Sequence, residues 1–110
     1  MGAYLRPATL QAALAALAER RWTVLAGGTD HYPARGDVLP DEDILDITGL
    51  PGHRAIAARD GDVLIPCGAT WSDVIAADLP SQFDALKQAA TQVGGRQVQN
   101  IGTVVGNLCN

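Results

Sequence analysis

Trp22-Thr23-Val24-Leu25-Ala26-Gly27-Gly28-Thr29-Asp30 is a short β-prone run that ends on a double glycine. The residues at 22–24 favour an extended backbone, and Gly27-Gly28 permits positive φ and the close approach of another backbone. The pattern predicts a strand over 22–26 that runs into a loop. A second stretch, Ile101-Gly102-Thr103-Val104-Val105-Gly106-Asn107, repeats the theme some seventy residues later. Each joins an apolar approach to Gly and Thr, the combination a phosphate cradle uses: bare backbone N–H groups at close range and a short hydroxyl donor. Neither matches the GxxxxGK(S/T) phosphate loop or the GxGxxG fingerprint, so an ATPase loop or an ordinary dinucleotide fold is not indicated. From the residues alone, the two segments are either a pair of ordinary turns or a phosphate site.

Upstream, Thr9 is placed to cap a helix whose apolar positions Leu10, Leu14 and Leu17 recur at helical spacing, with Ala12, Ala13, Ala15 and Ala16 allowing close packing; it should end near Arg20. Downstream, the segment 31–42 holds Pro33, Gly36 and Pro40 and reads as a connector, and 44–47 is the next strand. Thr48-Gly49-Leu50-Pro51-Gly52 reads as a turn and a boundary between two parts. Asp60-Gly61, between the β-prone runs 55–59 and 63–65, predicts a two-residue hairpin. Thr70 and Asp73 form a capping pattern for a helix through Leu79 that Pro80 stops. Ser81 can cap a further helix with apolar positions Phe83, Leu86, Ala90 and Val93, closed by Gly94-Gly95. The last stretch, 97–110, has no charged side chain and contains Val98, Ile101, Val104 and Val105, so it reads as β-prone. A terminus of that kind predicts a chain cut short, whose tail either self-associates through an unpaired strand edge or is disordered.

The 110 residues suffice for one small domain. Hydrophobic residues at 47% and charged residues at 18% exclude a disordered chain. A net charge of −4 without any basic run excludes the electrostatic footprint of a nucleic-acid binder. The longest apolar stretch, seven residues at 12–18, is far short of the ~18 a membrane span needs. Cys67 and Cys109 belong to no CxxC pair, which argues against a zinc site, a self-contained iron–sulfur cluster or a disulfide scaffold and makes a reducing cytoplasm the default setting.

Taken together, Leu25-Ala26-Gly27-Gly28-Thr29-Asp30 and Gln99-Asn100-Ile101-Gly102-Thr103-Val104-Val105-Gly106-Asn107-Leu108-Cys109-Asn110 resemble the N-terminal part of the FAD-binding domain of molybdenum hydroxylases, the family of the xanthine dehydrogenase flavin subunit and the carbon monoxide dehydrogenase medium subunit. Tyr4-Leu5-Arg6-Pro7, Leu45-Asp46-Ile47, Gly68-Ala69-Thr70-Trp71-Ser72-Asp73-Val74 and Ala89-Ala90-Thr91-Gln92-Val93-Gly94 are similar to the family in kind and order. The resemblance implies an α+β, two-part FAD-binding domain, with a first part over 1–52 and the opening of an incomplete second part over 53–110. It also implies that Ala26, Gly27, Gly28, Thr29, Asp30, Thr103, Val104, Val105, Gly106 and Asn107 line the FAD pyrophosphate. Electrons would reach the flavin from iron–sulfur clusters, and these and molybdopterin are expected only on partner subunits. No catalytic or metal-binding residue is expected in this chain, nor turnover by it alone.

Two departures from the family pattern stand out: Val105 occupies the place of the first of two adjacent glycines, and Pro66 a place where glycine is common. His31, Cys67 and Cys109 read as an exposed loop residue and two buried thiols, and Trp71 and Phe83 as core. Asp37, Asp41, Glu42, Asp43 and Asp46 read as a solvated acidic surface. The rival to cofactor binding is a truncated scaffold that binds no FAD, and a third reading, a generic nucleotide module, predicts equal affinity for ATP or NAD.

Overall fold

The computed structural model describes residues 2–27 and 42–109. Strands β1 (Tyr4–Leu5), β2 (Thr23–Leu25) and β3 (Ile44–Asp46) form a parallel sheet in the order β1-β3-β2. Val24 pairs with Leu45, and Leu5 pairs with Leu45 from the other side. All three residues of β3 are buried, as expected for the centre of a parallel sheet covered by helix. Helix α1 (Leu10–Glu19) starts where Thr9 was expected to cap it, with the Thr9 hydroxyl accepting from Ala12 N at 3.1 Å. It buries Ala13 and Ala16, whereas Leu10, Leu14 and Leu17 are 62%, 56% and 44% exposed. The alanine face lies about a quarter turn from the leucine stripe, and only side chains of that size allow close packing. Trp22 secures the helix end by donating to the Ala16 carbonyl at 2.8 Å, beneath the Arg20 guanidinium.

The acidic stretch is not a solvated surface where it can be seen. Asp46 is buried and accepts from Tyr4 Oη, from Thr48 N at 2.9 Å and from Thr48 Oγ1 at 2.7 Å, with Arg6 Nε 3.9 Å away. Asp43 accepts from Ala3 N at 2.9 Å and pairs with Arg20 at 3.4 Å, which ties β1 to the end of α1. These carboxylates are pins because β3 is central, so whatever β3 carries is surrounded. Asp37 and Asp41 lie outside the described residues.

The hairpin forms as its turn chemistry dictates. Strands β4 (Ala57–Arg59) and β5 (Asp62–Leu64) pair antiparallel around Asp60 (φ 52°) and Gly61 (φ 85°), two positive-φ residues that match strand twist. Helix α2 (Trp71–Ala76) has the reciprocal cap expected, Thr70 Oγ1 accepting from Asp73 N at 3.1 Å and Asp73 accepting from Thr70 N at 2.9 Å. Arg54 clamps the same carboxylate at 2.8 and 2.9 Å. The helix stops three residues before Leu79, because Ala77 is extended and its carbonyl is taken by Lys87 Nζ. Ser81 does not cap: residues Ser81–Phe83 form a 3-10 turn without a side-chain cap, and α3 (Asp84–Ala90) follows with Asp84 at its positive end.

The tail is helical, contrary to the β-prone reading. Arg96–Ile101 is α4 and Val104–Cys109 is α5, separated by Gly102. Thr103 decides the second start, its Oγ1 accepting from Gly106 N at 3.0 Å and its carbonyl from Asn107 N at 3.0 Å. Val104 is then drawn into the core with Trp71, Val74 and Ala90, against which Leu86 and Val93 also pack. A tail folded in this way offers no strand edge for pairing with another chain; Val98, Ile101 and Leu108 are its exposed apolar side chains.

Two carboxyls titrate below the ordinary range. Burial, the largest influence on Asp46, raises its pKa, but the hydrogen bonds of Thr48 and Tyr4 and the Arg6 charge outweigh it. The hydrogen bonds from Arg54 lower Asp73 against the opposing effect of burial. Both pKa values are lower folded than unfolded, so their stabilisation is present above the ordinary carboxylate pKa of about 4 and is lost as pH falls through the folded values. Thermal melts should therefore hold near neutrality and drop below about pH 4. Asp46→Asn should lower stability at pH 7 by about 1–3 kcal/mol in chemical denaturation and flatten the acid limb.

Candidate functional site

The two glycine segments meet. A cleft of about 550 Å³ lies between β2 with its following loop on one side and the α4–α5 junction on the other, lined by Ala26 and Gly27 from the first segment and Gly102, Thr103, Val105, Gly106 and Asn107 from the second. Its volume is in the range of small-molecule sites. Gly27 explains the proximity: a Cβ there would stand 1.9 Å from the Ile101 carbonyl oxygen and 3.8 Å from Gly102 Cα, so only glycine allows the two backbones this close. Gly27 has no positive φ, unlike Gly52, Gly61 and Gly94, so its requirement is space and not backbone conformation. Gly28, Thr29, Asp30 and His31 lie outside the described residues.

The second segment is held from behind by an isolated antiparallel bridge between Thr70 and Thr103. Trp71 N donates to the Gly102 carbonyl and Val104 N to the Ala69 carbonyl, each at 3.1 Å. This differs from the expectation that Val104 offers its amide to a phosphate: that amide is engaged and the side chain is core. The Gly106 and Asn107 amides are engaged by Thr103. In such a bridge the N–H of Thr103 points away from Thr70, and its hydroxyl, an acceptor for Gly106, keeps a proton to donate. Val105 sits in the first turn of α5 without positive φ, so its β-branch brings no backbone strain; what it brings is volume in the cleft.

Several lining residues carried no site signal in the sequence. Trp71, expected in the core, is in the core and also borders the cleft, and Thr23, Val93 and Val98 border it as well. Cys67 and Cys109 line the cleft too, although they were expected to be buried; Cys67 is half-buried and Cys109 exposed. No charged side chain is among the described lining residues. Thr23, which borders the cleft, donates its Oγ1 hydroxyl to the Glu42 carboxylate. No group of three His, Cys, Asp or Glu among the described residues could hold a metal ion. Among those residues, no helix is long and apolar enough to cross a membrane.

An α+β chain that brings two glycine segments to one cleft, its described lining free of charged side chains, is a cofactor-binding domain in outline. Residues 1–110 match the family described as the FAD binding domain in molybdopterin dehydrogenase, and the chain belongs to that family. It is 34% identical over 116 aligned positions to the xanthine dehydrogenase FAD-binding subunit of Escherichia coli O157:H7, across 97% of this chain and 38% of that protein. It is 32% identical over 87 positions to the nicotinate dehydrogenase FAD-subunit of Eubacterium barkeri, across 77% of this chain and 29% of that one. Its fold superposes with a TM-score of 0.82 on carbon monoxide dehydrogenase from Hydrogenophaga pseudoflava, at 26% identity, across 97% of this chain and 39% of that chain. The chain thus spans under two fifths of the length of the curated relatives it matches.

Gly27→Ala should destabilise the chain by about 1–3 kcal/mol, because a backbone carbonyl cannot rotate aside as a side chain can. Gly106→Ala places a Cβ 2.5 Å from Thr103 Oγ1 and should cost about 0.5–2 kcal/mol through the lost cap. Urea denaturation of both variants beside the parent checks these values.

Proposed function

We propose that this chain holds FAD in the cleft between the two glycine segments, as part of a molybdopterin-dependent oxidoreductase whose iron–sulfur and molybdopterin groups sit on partner subunits. Residues 1–52 and 53–110 would be the two parts that enclose it. The observation that carries the reading is the contact of Gly27 with the Ile101–Gly102 backbone, which unites segments more than seventy residues apart at one cavity. The cavity suits the group chemically. A pyrophosphate is anionic and the described lining has no cation, so neutral donors must hold it: the Thr103 amide and hydroxyl, the Val105 amide and the Asn107 side chain. Hydrogen bonds to charged groups contribute about 1.5–3 kcal/mol each, so a few suffice for a useful affinity. Trp71, Val98 and Leu25 offer apolar surface to a ring.

When bound, the flavin supplies the electron transfer. This chain binds and orients it and keeps water from it; Ala26, Gly27, Gly28, Thr29 and Asp30 would face the phosphates from one side, and Thr103, Val105, Gly106 and Asn107 from the other. Self-association through the C-terminal segment would use the exposed Ile101 and Leu108 and not a strand edge.

Flavin fluorescence on titration of the purified chain tests the reading. FAD should bind in preference to ATP or NAD and survive desalting, Asn107→Ala should weaken it about tenfold, equivalent to ~1.4 kcal/mol, and Val105→Gly should strengthen it by removing a side chain from the cleft. A chain that retains no flavin, or binds ATP equally well, overturns it.

A further inference from the structure

Cys67 and Cys109 are forty-two positions apart in the chain yet line the same cleft. Their place on one cleft follows from the backbone. Cys67 lies in a turn fixed by Gly68 N donating to the His53 carbonyl at 2.7 Å and Ala69 N to the Pro66 carbonyl at 3.1 Å. A Cβ at Gly68 would stand 2.0 Å from His53 Cδ2, so only glycine lets the turn lie this close to His53. The next residues, Ala69 to Trp71, are bonded to Gly102 and Val104, which lead into α5. Cys109 is four positions on from Val105, and residues at that spacing share a helix face; both line the cleft. No Lys, Arg, His, Asp or Glu is among the described lining residues, so the two thiols are the titratable side chains among them.

We propose that Cys67 and Cys109 make the cleft a modification site for small uncharged electrophiles, at which a thiol adduct and the bound cofactor exclude one another. The inference rests on the FAD reading above for the identity of the competing ligand. The part of the lining that the two thiols share with Trp71, Val93, Val98 and Val105 is uncharged and largely apolar, and admits a neutral reagent more readily than a charged one. The chemistry is a conjugate addition: the thiolate sulfur attacks an activated C=C bond, an S–C bond forms as the C=C π pair moves to the adjacent carbon, and that carbon takes a proton in place of the one the thiol gave to solvent. Nothing leaves, and no oxidant or reductant is consumed. The added group then occupies volume that Trp71, Val105 and the glycine segments otherwise enclose for the cofactor.

The test follows N-ethylmaleimide labelling of each cysteine in the full chain by peptide mass spectrometry, with and without saturating FAD, alongside flavin titration of the labelled protein. FAD should slow labelling at both positions at least tenfold, and labelling should weaken FAD binding at least tenfold. In the Cys67→Ser/Cys109→Ser chain, N-ethylmaleimide should leave the FAD affinity of that variant, whatever its value, unchanged. FAD binding with unprotected thiols, protection of one cysteine alone, or a reagent effect on the double variant overturns the inference and leaves the proposed function standing. Failure of the unlabelled chain to bind FAD removes the proposed function, and this inference with it.

Discussion

The backbone of Gly27 against the carbonyl of Ile101 is the contact on which the cleft depends. Parallel strands gathered around a buried β3 end at this point on one side, and two short helices begin and end at it on the other. Neither side is long enough to stand by itself. The sheet strands have two or three residues each, and α4 and α5 have six, below the length at which an isolated helix holds in water. Their persistence comes from tertiary contact, and the approach of Gly27 to Ile101 is a contact that no side chain could share.

Around that contact, polar groups do the fastening. The Thr70–Thr103 bridge, the reciprocal cap of α2 and the Arg54 clamp on Asp73 form one connected set of bonds behind the second segment. Asp46, with Tyr4, Arg6 and Thr48, does the same behind the sheet. In each case the carboxylate is satisfied by several donors, which is the condition for a charge to be withdrawn from water, fully at Asp46 and partly at Asp73. The charges therefore stand behind the walls, and the described wall surface itself is neutral. An anionic ligand would meet hydrogen-bond donors there without having to displace a resident counter-ion.

The legible parts of the fold were those decided locally. Asp60-Gly61 specifies its own turn, and Thr9 and Thr70 announce their helices, because each acts on residues within four positions. Residues 96–109 misled for the complementary reason: valine and isoleucine favour strands by composition, but the Thr103 cap and the burial of Val104 against Trp71 override propensity. Asp46 looked like surface because a charge in an acidic run gives no sign of the sheet position it will occupy. In the site, the glycine segments were visible as motifs, yet which of their amides would be engaged internally was not. The two thiols had no legible relation at all, since their common cleft exists only once the chain has folded.

The way α1 is buried limits how this sequence can drift. The inner face is alanine at 13 and 16, while the leucines look outward. At the buried positions a larger side chain would have to push the helix away from what encloses it, and with it the Trp22 indole that is bonded to the Ala16 carbonyl. At the outer positions a change of size disturbs little within this chain. Variation among related sequences is thus expected to be confined to the smallest residues at the two alanines and broad at the three leucines, the reverse of what ranking these positions by hydrophobicity would give.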